Sequence, residues 1–129
     1  MKPSEVLLVE DNAGDALLIA QVLADSEVPV RLHHARDGME ALLMLAHQIG
    51  KPDLVILDLN VPNLSGCGVL ERYHPKDVPV VVFSSCVDET ERRRSLELGA
   101  QEFIRKPMRL QAFKDAVCGM VEKWAVRRN

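Results

Sequence analysis

Short runs of unbroken apolar residues alternate along this chain with longer stretches in which apolar positions recur every three or four residues. Glu5 to Val9 (EVLLV), Leu54 to Leu59 (LVILDL) and Val78 to Phe83 (VPVVVF) predict strands, and their near-continuous apolarity implies burial on both faces, as in a parallel sheet. Arg31 to Ala35 and Gln101 to Arg105 predict two weaker strands. Asp15 to Asp25 and Gly38 to Gln48 predict helices, and Glu89 to Leu98 (ETERRRSLEL) predicts a largely exposed one whose arginine run, Arg92 to Arg94, forms a wet face. In the last segment Leu110, Phe113, Ala116, Val117, Met120, Val121 and Trp124 share one face, which reads as core packing. Lys123, Arg127 and Arg128 close that helix where cations complement its dipole. Gly66, Gly68, Pro75 and Pro79 leave room for only a short helix around Val69 to Tyr73. Strand and helix segments alternate five times, the pattern of a doubly wound open α/β sheet with helices on both faces.

Composition narrows the setting. A chain of 129 residues with 47% apolar content is sized for one compact domain. Sixteen basic against 19 acidic side chains give a net charge of −3, which supplies no general field for nucleic acid or an anionic membrane. Three cysteines, Cys67, Cys86 and Cys118, show neither disulfide nor zinc-ligand spacing and read as reduced thiols. No apolar run approaches the roughly 18 residues of a membrane helix, so a cytoplasmic protein is expected. His33 and His34 are neighbours on a strand and point to opposite faces, which argues against joint metal ligation. His47 and His74 fall at a helix end or in a loop. The pair Gly66 and Gly68 lacks the third glycine of a dinucleotide fingerprint.

The candidate chemistry lies where strands end, because ligands of open parallel sheets collect outside the carboxyl ends of the strands. The first strand exits into Glu10 and Asp11, the third into Asp58, the fourth into Ser84 and Ser85, the fifth into Lys106 and Pro107. Like charges about 4 Å apart repel by about 4 kcal/mol at an effective dielectric near 20, so converging carboxylates call for an offsetting cation. Mg²⁺ suits them, since it takes one or two carboxylates, keeps several waters and leaves room for phosphate oxygens. A carboxylate nucleophile, a metal, an ammonium and a hydroxyl together suit phosphoryl transfer. Asp58, at the end of the middle strand, is the expected acceptor, with Glu10 and Asp11 as a metal shelf. Carboxylates that merely cap helices are a weaker account of three such residues converging with a lysine.

These residues resemble the receiver domain of two-component response regulators, over essentially the whole chain. The likeness rests on V-E-D-N at 9–12, L-D-L-N-V-P with Gly66 eight residues after Asp58, V-V-V-F-S-S at 80–85, and G-A-Q-E-F-I-R-K-P at 99–107. It implies a flavodoxin-like five-stranded parallel sheet of order 2-1-3-4-5. It also implies a single receiver domain over residues 1–129 without an output domain. By the resemblance Asp58 is the phosphoacceptor, Glu10, Asp11, Asp58 and the backbone carbonyl of Asn60 hold Mg²⁺, Ser84 is the hydroxyl that follows the phosphoryl group, Lys106 binds phosphate, and Phe103 is the aromatic switch. Lys106–Pro107 resembles the family's cis peptide. Ser84 stands where threonine is more usual, Phe103 lacks a tyrosine hydroxyl, and the interval from Asp58 to Ser84 is short.

The implied partner is a sensor histidine kinase. VEDNAGDALLIAQVL, ARDGMEAL and the Trp-containing last helix look most like stand-alone regulators of the bacterial phytochrome type. The implied output is a protein contact through the fourth helix, fifth strand and fifth helix, with a homodimer through that face as one form. Such a protein is not an enzyme beyond its own phosphotransfer and dephosphorylation. Two competing readings are a phosphorylation-independent interaction module, which predicts a damaged pocket, and a metal-dependent phosphohydrolase, which wants a second acid where Asn60 stands. Cys86 borders the expected pocket, where filling space is the plainer role. Trp124 reads as a packing or dimer-contact residue.

Overall fold

In a computed structural model, which describes residues 2–73, 77–85 and 88–126, the chain alternates β1 (Ser4–Val9), α1 (Ala13–Ala24), β2 (Val30–Ala35), α2 (Gly38–Met44), β3 (Leu54–Leu57), α3 (Gly66–Arg72), β4 (Val80–Ser84), α4 (Glu89–Glu97), β5 (Glu102–Arg105) and α5 (Leu110–Met120). Helices α2 and α5 each run on into one wider turn of π type, Leu45–Ile49 and Val121–Ala125. All strand pairings are parallel, in the order β2-β1-β3-β4-β5. The expected α/β sheet is therefore present. Expectations that fell on His74, Pro75, Cys86, Arg127 and Arg128 lie outside the described residues.

Alternation along the central strands sends side chains into two apolar layers. Val6, Leu8, Ile56, Val81 and Phe83 pack beneath Ile19, Val22 and Leu23 of α1 and Phe113, Val117 and Met120 of α5. Leu7, Val9, Val55, Leu57, Val80 and Val82 face Ala41, Val69 and Leu70 from α2 and α3. Both faces of β1, β3 and β4 are covered, which is why their sequences read as unbroken apolar runs. Helix α5 supplies the predicted stripe from Phe113 onward, whereas Leu110, expected on the same face, is exposed at the start of the helix, beyond the edge of the packed layer. Trp124 continues the stripe, its indole packing on the first layer while its Nε1–H donates to Glu102 Oε1 at 2.9 Å. Lys123 pairs with the same carboxylate, so the end of α5 is tied to β5.

Local signals explain the helix starts. Asn12, Asp37, Ser65 and Asp88 cap α1, α2, α3 and α4 by accepting from the backbone N–H of Asp15, Glu40, Gly68 and Thr90. Asn12 moves the start of α1 ahead of the expected Asp15. Ser65 starts α3 at Gly66, ahead of the expected Val69, because its two glycines sit where the chain is crowded. A Cβ on Gly66 would lie 2.7 Å from the Asp58 carbonyl oxygen and from Leu59 Cα, and one on Gly68 2.5 Å from Leu64 Cδ1. In α4 only Ser95 is buried. The arginines there are paired as a wet face should be, Arg92 with Glu89 at 2.7 Å and Arg94 with Glu71 of α3.

Three expectations need correction. The β3 ladder ends at Leu57, so Asp58 and Leu59 stand beyond the strand, although the Asp58 N–H still donates to Val9 O at 3.0 Å. Strand β4 begins at Val80 because Pro79 has no N–H to offer a ladder. The Lys106–Pro107 peptide is trans, since no described peptide bond is cis. The trans isomer is the default for X–Pro by about 0.5–1 kcal/mol, and Lys106 reaches its partners without the alternative.

Candidate functional site

The exits of β1, β3, β4 and β5 meet at one edge of the sheet. Glu10, Asp58, Ser84 and Lys106, each one residue past a strand or at its last position, are buried there. Lys106 Nζ sits at the centre and donates to Glu10 Oε1 at 2.6 Å, Asp58 Oδ2 at 2.9 Å and Asp15 Oδ2 at 2.9 Å. Asp58 Oδ1 accepts from Ser84 Oγ at 3.0 Å and from the backbone N–H of Asn60 at 2.9 Å. Glu10 Oε2 accepts from the Asn12 N–H at 3.1 Å. Lys106 N–H also donates to Ser84 O at 2.9 Å, so the hydroxyl and the ammonium ride on one pair of strands.

Of the residues singled out from sequence, Glu10, Asp11, Asp58, Asn60, Ser84 and Lys106 converge. Asp11 is the exposed member, at the solvent side of Glu10 and Asp58. Phe103 stands apart on β5, paired with Val82, and packs half-buried against the layer under α2, α3 and α4. His33 and His34 diverge as expected: His33 Nε2 meets Glu5 Oε1 at 2.7 Å, and His34 Nε2–H donates to the Glu10 backbone carbonyl at 2.8 Å. Neither Cys67 nor Cys118 is in a disulfide. Asp15 is the member the sequence reading passed over as an ordinary helix residue. Its signal was present in Asn12, whose cap places Asp15 in the first turn of α1, one helical turn after Asp11.

Electrostatics follow from burial and pairing. Burial pushes the Glu10 carboxyl from its ordinary 4.5 up to about 7; the bond from Lys106 opposes this and the charge of Asp58 adds to it. Burial also pushes on Asp58, but the hydrogen bonds from Asn60 and Lys106 outweigh it and hold that carboxyl below its usual range. Burial works against the Lys106 ammonium, yet Glu10, Asp15 and Asp58 keep it charged well beyond neutral pH. Asp58 is thus an ionised, oriented carboxylate in a mostly dry site, the state a nucleophile requires.

Oxygens of Glu10, Asp11 and Asp58 lie within 4.8 Å of one another. An all-carboxylate donor set with one exposed member fits a hard divalent cation that keeps part of its water. Lys106 pairs with Glu10, Asp15 and Asp58, and Asp11 adds a fourth carboxylate beside them, so such an ion would meet excess negative charge.

The fold and the site define a class: the family model of the response regulator receiver domain matches residues 6–118, and the chain belongs to that family of two-component signalling proteins. Response regulator Rcp1 of Synechocystis sp. is 33% identical over 131 residues, covering 95% of this chain and 89% of that protein. The phosphorylated cyanobacterial phytochrome response regulator RcpA superposes with a TM-score of 0.89 at 35% identity, covering 99% of this chain and 98% of RcpA. The Mn²⁺-bound form of Rcp1 gives 0.87 at 31% identity, covering 98% of each chain.

Proposed function

We propose that this receiver accepts a phosphoryl group on Asp58 from a sensor histidine kinase, in a Mg²⁺-dependent reaction, and thereby switches a protein-interaction surface. The observation that carries the reading is the Asp58 carboxylate itself, gripped by Lys106, Ser84 and the Asn60 N–H beside Glu10 and Asp11. Glu10, Asp11, Asp58 and the Asn60 carbonyl would hold the cation. When bound, it neutralises charge on the phosphoryl oxygens.

An oxygen of Asp58 attacks phosphorus as the phosphorus–nitrogen bond of a phosphoimidazole breaks. The departing nitrogen keeps the electron pair, and a proton on the ring's other nitrogen lets it leave neutral. Lys106 and Ser84 donate to the phosphoryl oxygens where they now donate to Asp58. Because Lys106 and Ser84 are joined through β4 and β5, their movement reaches Phe103, three residues before Lys106, and the face formed by α4, β5 and α5. The output is a protein contact there, with a second copy of the chain as one partner. Similarity to RcpA, a cyanobacterial phytochrome response regulator, supports a phytochrome-type kinase as donor. A groove of about 370 Å³ beside Lys106, lined by Pro107, Met108 and Leu110, supplies apolar surface at the mouth for it; Met108 is 98% exposed. No described helix is long and apolar enough to cross a membrane, which accords with a cytoplasmic setting.

Acetyl phosphate with Mg²⁺, read by intact mass, tests the acceptor. One phosphoryl group is expected on the wild type and none on Asp58→Asn; equal addition to both, or to neither, would overturn the assignment.

A further inference from the structure

An ammonium has three N–H donors, and Lys106 directs all three at carboxylates. The acceptors differ in what holds them. Glu10 and Asp58 stand at strand ends with side chains 2% and 9% exposed, whereas Asp15 is on the first turn of α1 and 31% exposed. Water can replace Lys106 at Asp15 far more readily than at the other two. The N-terminus of α1 also favours a carboxylate at Asp15 whether or not Lys106 is bonded to it. Asp15 is therefore the bond that breaks at least cost.

We propose that Asp15 is a positioning residue that latches Lys106 in the resting site and is the partner Lys106 gives up when a phosphoryl-like anion arrives at Asp58. The inference rests on Asp58 as acceptor and adds a regulatory element to it. An anion entering beside Asp58 needs a donor from Lys106, and with all three taken one contact must yield. The same anion is repelled by the charge of Asp15 across the ammonium they share. Asp15 thus opposes occupancy twice, by holding the donor and by its own charge.

Asp15→Asn keeps the size of the side chain and an oxygen that can accept from Lys106, and removes the charge. Titration with beryllofluoride in excess Mg²⁺, by calorimetry, is expected to show binding tightened about three- to tenfold, the scale of a partly exposed ion pair. Asp15→Glu returns the affinity toward the wild type. Mg²⁺ affinity without the anion is expected to stay unchanged or weaken, because the charge removed at Asp15 would attract a cation; anion binding that tightens while Mg²⁺ binding does not separates the latch from a general gain of affinity in the pocket. Anion binding by wild type, its loss in Asp58→Asn and tighter binding by Asp15→Asn would establish the latch. If the wild type binds and Asp58→Asn does not, but Asp15→Asn binds equally or more weakly, the latch is overturned and the acceptor stands. If Asp58→Asn binds like the wild type, both fall together.

Discussion

Without divalent cations, the protein should lose stability as pH rises through neutrality, and Glu10 is the reason. Its folded-state value of about 7 lies above the ordinary 4.5, so between these the native state holds a proton that the unfolded chain has released. The stabilisation from that proton is fully present below about pH 4.5 and disappears as pH climbs past about 7. A separation of roughly 2.5 pH units at 1.36 kcal/mol each puts the loss at about 3 kcal/mol, an appreciable share of a domain's usual 5–15 kcal/mol. Asp58 does not offset it in this window, because a depressed carboxyl contributes stability that is lost only on acidification. The assay is urea denaturation of metal-free protein at steps between about pH 5 and 8, wild type beside Glu10→Gln, whose amide cannot titrate. The difference between the two curves isolates Glu10 from every other group. A wild-type curve that falls with pH relative to Glu10→Gln supports the account. Parallel curves, or a difference of opposite sign, would refute it. Mg²⁺ should cancel the loss, since the cation favours the ionised form: its apparent affinity is expected to tighten about tenfold from pH 6 to 8, as the ionised fraction rises from roughly a tenth to nine tenths.

Two further outcomes follow from packing. Gly66→Ala drives a Cβ to 2.7 Å from the Asp58 carbonyl oxygen and Leu59 Cα, both backbone, so α3 or Asp58 must shift; thermal denaturation should show a loss of about 1–3 kcal/mol, together with weaker beryllofluoride binding. Ser4 is buried at the start of β1 and its hydroxyl donates to the Ala125 carbonyl at the end of α5; Ser4→Ala leaves that carbonyl without the donor and should cost about 1–3 kcal/mol, with hydrogen exchange rising first around Val121–Ala125.

The sequence by itself determined the layered sheet and most of the site. Both followed from period and position: strands covered on two faces must be unbroken apolar runs, and polar residues directly after such runs can only sit at the sheet edge. Asp58, Glu10 and Lys106 were legible for that reason. Where side chains compete for one another was decided only by the folded chain. Asp15 looks like any acidic residue opening a helix until Lys106, 91 positions later, is seen to bond it. The start of α3 depended on how closely Gly66 passes beneath Asp58, a contact that glycine's reputation as a helix breaker conceals. The strong upward push on Glu10 arises from burial by residues of several elements, and no local spacing encodes it. Periodicity reports which face a residue occupies; distances between ionised groups, and hence their energies, exist only after distant segments have packed.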